Sequence, residues 1–167
     1  MAGNQEDGFK LLLEENVKEF NSWRMKNLIV KLDFTNRDLT GKNLAGALLN
    51  GVVAKEANFS KANLSEANFV QASLTGANFE AADLTEALLM YAELKEARLN
   101  HTNLVKTNLM WADLQGADLT DTKMSYTILA QADLRNANVS GTHKEGAYLK
   151  YAHLEGTPWF EAPLEHR

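Results

Sequence analysis

The chain has 167 residues, no cysteine and a formal net charge of −5, with acidic and basic residues interleaved. That length suits one domain with a continuous core, and the absence of cysteine excludes disulfides and thiolate metal sites. The acidic balance argues against direct nucleic-acid binding, and no stretch approaches the roughly 20 apolar residues of a membrane span.

The N-terminus, Met1-Ala2-Gly3-Asn4, lacks a basic and apolar secretory signal, so the cytoplasm is the expected compartment. Residues from Asp7 to Lys26 read as one helix with Asp7 as its N-cap. Phe9, Leu13, Val17, Phe20 and Arg24 form one stripe, with Leu12, Asn16 and Trp23 beside it. Acidic and basic residues mix along this segment, which disfavours a membrane-surface role. Residues 1–31 are therefore expected to be a leader with a capping α-helix.

Residues 32–166 are different. From Phe34 to Leu164 the chain repeats every five residues, 27 times, without an insertion. Ala57-Asn58-Phe59-Ser60-Lys61 and Ala117-Asp118-Leu119-Thr120-Asp121 show the unit: a small slot, a polar slot, a large slot and two outer slots. The large slot holds Leu or Phe in 22 repeats, and the small slot holds Ala in 17 and Thr in 6. A helix would spiral such a repeat around all its faces, and a straight strand would send successive leucines to opposite sides. A chain that bends once per repeat instead turns the small and large slots inward every time. All eight glycines within the repeats occupy the last outer slot, where Asn36, Asp121 and Asn136 also fall. These residue types tolerate positive φ, so that slot is the predicted corner.

Each unit is too small to bury its own apolar residue and must stack on others, so the period means a solenoid. Each buried Leu or Phe contributes about 1.5–3 kcal/mol, largely offset by the entropy of ordering its repeat. Arg37 and Lys42 in small slots, and Lys144 in a large slot, predict loosening near the ends, with stems packed and charges reaching out. Pro158 and Pro163 fall in polar slots and cannot donate a backbone hydrogen bond. With Trp159 and Phe160, Pro158 is the expected C-terminal cap.

The unit resembles the A(D/N)LXX motif of the pentapeptide-repeat family. Phe20-Asn21-Ser22-Trp23-Arg24 ahead of Asp33-Phe34 is similar to leaders of bacterial, notably cyanobacterial, members. The resemblance implies an all-β fold, a right-handed quadrilateral β-helix with four repeats per coil. On that basis 27 repeats make about 6.75 coils and a rod about 32 Å long, at roughly 4.8 Å per coil.

Four repeats per coil would put every fourth repeat on one wall. One such wall carries Leu48, Leu88, Ile128 and Tyr148 in polar slots and Val70, Met90, Tyr91, Met110, Trp111 and Tyr151 in outer slots. The other walls carry mostly polar and charged residues. An apolar, aromatic strip on a polar rod reads as a protein interface or a self-association surface such as a homodimer contact, unless the leader covers it.

Catalytic chemistry is missing. His143 and His153 lie two repeats apart, which puts them on opposite walls, and they cannot share a metal. Asp and Asn interchange in the motif, which argues against acid–base roles. Tight coils leave no interior pocket, so no enzyme activity, cofactor or small-molecule substrate is expected. The leading expectation is a non-enzymatic interaction or scaffold module without membrane or direct nucleic-acid binding. The family resemblance also implies an alternative, a DNA mimic binding a type II topoisomerase. Lysines interrupt the acidic surface here, and the repeats carry no projecting loop. A structural module without a partner is the third reading.

Overall fold

The computed structural model describes residues 4–160. The predicted single N-terminal helix is two: α1, Gln5–Leu13, and α2, Val17–Lys26. Asn4, not Asp7, caps α1. Its side chain accepts from the Asp7 N–H at 3.1 Å, and the Asp7 carboxylate accepts from the Asn4 N–H at 2.9 Å, a reciprocal cap that satisfies two orphan donors. α1 stops because Glu15 enters the left-handed region at φ 58°. There the N–H groups of Glu15 and Asn16 close on the carbonyls of Leu12 and Leu11. Asn16 then caps α2 by accepting from Glu19 N–H at 3.3 Å.

The break also changes which residues face inward. Phe9, Leu12, Phe20 and Arg24 are buried, Val17 and Trp23 are half-buried, and Leu13, expected in the cap's buried stripe, is exposed. Gly8 makes the close packing of the two helices possible, because a Cβ there would lie 2.6 Å from the Trp23 ring. Phe9 packs on Phe34, with ring centroids 5.1 Å apart, so the helices sit on the first coil.

From Asp33 onward every β-bridge is parallel and joins residues 20 apart, from Asp33–Val53 to Asp133–His153. Four pentapeptides therefore make one turn. One repeat accounts for all its backbone donors. Ala57 N–H donates to Ala54 C=O, closing the turn, while Asn58 N–H donates to Arg37 C=O on the coil before. Phe59 and Lys61 donate to Asn78 and Glu80 on the coil after. The fifth, Ser60 N–H, donates to the Asn58 side chain at 3.1 Å. The same bond recurs at Asp38, Asn63, Asp83 and Asp118. A side-chain oxygen two residues back is what this corner needs, and Asp and Asn supply it equally well.

Every last-slot residue from Asn36 to Gly156 has positive φ, between 54° and 79°, whether or not it is glycine. Glycine marked the corner in the sequence, but the turn also imposes this conformation on Glu, Lys, Tyr and Trp. Such a backbone costs a non-glycine residue about 1 kcal/mol, and the corner's coil-to-coil hydrogen bond works against that cost.

Small and large slots form one continuous core. Phe59 and Phe79 stack at 5.0 Å, and Phe69 meets both edge-on at 5.7 and 6.0 Å from the opposite side. In Val52-Val53-Ala54 the larger side chain moves to the small slot and the smaller to the large slot, and both stay fully buried. Buried threonines satisfy their hydroxyls on carbonyls, as Thr102 does on Phe79 at 2.7 Å.

The misplaced cations of the first coil are met by the helices. Arg37 pairs with Glu6 and lies 4.6 Å from the Phe9 ring centroid, and Lys42 pairs with Glu15 at 3.5 Å. At the other end Trp159 is buried and the Lys144 ammonium lies 5.6 Å from its ring centroid, while Pro158 and Phe160 are exposed. Pro163 and the repeat of Leu164 lie outside the described residues.

Candidate protein-interaction wall

Successive bridges from Leu48 through Asn68, Leu88, Asn108 and Ile128 to Tyr148 make one wall of six rungs. Two further rows border that column: Asn50, Val70, Met90, Met110, Ala130 and Lys150, then Gly51, Gln71, Tyr91, Trp111, Gln131 and Tyr151. Among these residues Lys150 alone carries a charge. Leu88, Tyr91, Trp111, Tyr148 and Tyr151 are exposed, Trp111 at 46% and Tyr151 at 67%. Leu48, Val70, Met90, Met110 and Ile128 are half-buried, and Ala130 is buried. Stacking holds Tyr91 and Trp111 4.9 Å apart with their planes 7° from parallel, because consecutive corners repeat at the coil spacing. Lys150 lies over the Tyr151 ring at 5.0 Å.

The wall departs from the corner rule. Asn68 and Asn108 accept from Val70 and Met110 N–H at 3.0 and 3.1 Å. Leu48, Leu88, Ile128 and Tyr148 have no side-chain oxygen in reach of that N–H, so these rungs present apolar or aromatic surface where the motif supplies a hydrogen bond.

The helices meet only the base of this wall. Asn21 accepts from Leu48 N–H and donates to Gly46 C=O, both at 2.9 Å. Arg24 donates to Asn50 C=O at 3.3 Å and to Val30 C=O at 2.9 Å, and burial lowers its pKa. That guanidinium ties the segment after α2 to the first rung. Leu28 and Ile29 of that segment are exposed at 64% and 94%. Sequence reasoning missed them because they precede the first repeat, although they lie twenty residues before Leu48 and Leu49.

Charge gathers on both borders. Glu66 and Glu86 stand on one side, with Glu86 paired to Lys106 at 2.9 Å. Glu93, Asp113 and Asp133 stand on the other, where Lys95 pairs with Asp113 at 3.2 Å and Arg135 with Asp133 at 2.6 Å. The Arg135 hydrogen bond holds the Asp133 carboxyl below the usual carboxylate range. Beside the upper rungs lies a cleft of about 450 Å³, lined by Tyr148, Leu149, Lys150, Tyr151, Leu154 and Phe160 among others.

Among the described residues no group of His, Asp and Glu is placed to hold a metal, and no helix is long and apolar enough to cross a membrane. His143 bridges to Lys123 and His153 to Asp133, on separate walls.

A family model described as "Pentapeptide repeats (8 copies)" matches residues 31–64, 55–89, 92–129 and 127–157. The chain is similar to a crystal structure of a pentapeptide repeat protein from the thylakoid lumen of Arabidopsis thaliana. The two are 34% identical over 59% of this chain and 68% of that one, with a TM-score of 0.58. It is also similar to the pentapeptide repeat protein Rfr23 from the cyanobacterium Cyanothece 51142, at 26% identity over 85% of this chain and 99% of that one, with a TM-score of 0.51. A structure of QnrB1, a plasmid-mediated fluoroquinolone resistance protein, aligns at 19% identity over 76% of this chain and 78% of that one, with a TM-score of 0.42. None of the curated proteins compared with the chain matches it. A right-handed β-helix preceded by two α-helices, with its repeat matched over most of its length, the chain belongs to the pentapeptide-repeat family.

Proposed function

We propose that this protein is a non-enzymatic interaction or scaffold module that engages another protein through the wall of Leu48, Val70, Leu88, Met90, Tyr91, Met110, Trp111, Ile128, Tyr148 and Tyr151. One observation carries the reading: a nearly uncharged, aromatic wall stands exposed on a rod whose other walls are polar and charged. Apolar patches of this kind mark interaction sites on soluble proteins, and Tyr, Trp and Met are enriched at interface cores. In this reading residues 1–31 cap a repeat body of residues 32–166, wound as about 6.75 coils, and Pro158, Trp159 and Phe160 close the far end. The cytoplasm is the proposed compartment, although the Arabidopsis relative is a thylakoid-lumen protein.

The test is a paired replacement, Tyr91→Glu with Trp111→Glu. Glu already occupies the same left-handed corner at positions 56, 66, 86 and 96, so the backbone tolerates it. Light scattering after size-exclusion chromatography reports self-association, and affinity capture with the full chain reports other partners. The variant is expected to lose association by about 2 kcal/mol or more, with an unchanged far-UV circular dichroism spectrum. Association that survives the replacement sinks the wall assignment. Topoisomerase binding by DNA mimicry needs a continuous acidic surface, and here Arg98, Lys106 and Arg135 neutralise Glu80, Glu86 and Asp133. A gyrase supercoiling assay without inhibition at micromolar protein removes that alternative.

A further inference from the structure

We infer, resting on the reading of this wall as an interface, that its occupant is one amphipathic α-helix of another protein, with Lys or Arg along both edges of its apolar stripe. The wall offers no strand edge. Leu88 donates to Ala67 C=O at 2.9 Å and accepts from Phe69 N–H at 2.7 Å, and its neighbour Leu89 donates to Asn108 C=O at 2.8 Å. A partner cannot add a β-strand to a backbone already paired above and below, so it docks through side chains. A helix, which satisfies its own backbone, meets that condition.

Dimensions agree. Six rungs at roughly 4.8 Å span about 24 Å, the length of about 16 helical residues. Three residues of extended chain make the wall about 10 Å wide, close to a helix diameter of about 10–12 Å. The resulting footprint, on the order of 250 Å², is well short of the roughly 800 Å² per partner in a stable globular interface. A second copy pressed flat against this wall is therefore a weak dimer, whereas one side of a helix fills it.

Charge chooses the kind of helix. The wall's only charge is Lys150, and both borders carry carboxylates. Lys106, Lys95 and Arg135 each pair with one of them. Glu66 and Glu93 stay uncompensated by any ion pair among the described residues, and Glu93 accepts only a Ser73 hydroxyl at 2.7 Å. One of these two lies on each border, so both edges of the occupant meet negative charge. The same borders repel an anionic lipid surface.

The test uses the full chain and two labelled synthetic peptides of about sixteen residues, the helical length that spans the wall, with the same leucine stripe, one edged with Lys and one with Glu. Fluorescence anisotropy is expected to show the Lys-edged peptide binding at least about tenfold tighter, the difference shrinking as salt rises. Glu66→Lys with Glu93→Lys is expected to erase that preference, and Tyr91→Glu with Trp111→Glu to remove binding of both peptides. Equal binding of the two peptides, lost in the Tyr91/Trp111 variant, overturns the basic edges and leaves the wall as an interface. Binding of neither peptide overturns the helix, while the association test of the wall stands separately. Binding that survives the Tyr91/Trp111 variant overturns the placement.

Discussion

On the wall of Leu48, Asn68, Leu88, Asn108 and Ile128, and on the opposite wall of Asp38, Asn58, Asn78, Arg98 and Asp118, the same hydrogen bonds join each coil to the next. The interior is also shared, since Phe69 beneath the first wall packs between Phe59 and Phe79 beneath the second. The two walls differ in what points outward. The polar wall keeps Asp or Asn where the corner N–H needs an acceptor on every rung from Asp38 to Asn138 except Arg98, and the apolar wall gives up that bond at Leu48, Leu88, Ile128 and Tyr148. Outer residues are thus largely released from folding, and a wall's character can be set by what it touches.

The largest predicted effect concerns the shared interior. Phe69→Ala and Phe79→Ala are each expected to cost about 3–5 kcal/mol, and by similar amounts, in denaturant unfolding. A large inequality would show that the outer side chains feed stability after all. Next comes the corner. Gly51 has φ +67°, and a Cβ added there would meet nothing within 4 Å, so Gly51→Ala is expected to cost about 1 kcal/mol from backbone conformation alone. Leu88→Asn restores the missing acceptor for the Met90 N–H. It is expected to leave stability unchanged or raise it by up to about 1 kcal/mol while weakening partner binding, and a loss of both would contradict the separation of roles.

The smallest effect is acid sensitivity. Thr35 and Thr40 hydrogen bonds hold Asp33 and Asp38 below the ordinary carboxylate range, and Arg135 does the same for Asp133. A carboxyl depressed in the folded state adds stability above its unfolded pKa and loses it as pH falls through the folded value. Thermal midpoints should therefore hold down to about pH 4 and decline below. Asp38→Asn should soften that decline while keeping the cap, because the amide oxygen still accepts from Thr40.

Much of the body was legible because a single local geometry repeats. Alanine at Ala57 and leucine at Leu64 announce inward slots, and Gly41 and Gly116 announce corners. Tyr91 and Trp111 announce nothing about their positive φ, because there the coil imposes a conformation that the residue does not favour. The leader was harder. Its break depends on Glu15 adopting a left-handed turn and Asn16 capping the next helix, local choices that a continuous apolar stripe conceals. The wall could be sorted only through a four-repeat phase, and Leu28 and Ile29 escaped because they stand before that phase begins.

Bridges between residues 20 apart also limit how such a chain can change in length. Gaining or losing one pentapeptide keeps every inward slot filled, yet it swings all later rungs by a quarter turn. The part of the wall from Leu88 to Tyr151 would then continue on a neighbouring side, severed from Leu48 and Val70. Only a whole turn, four pentapeptides together, lengthens the surface without cutting it. Folding thus counts in fives and the proposed recognition counts in twenties, so the lineage of this rod can drift in length far more freely than the proposed interface can follow.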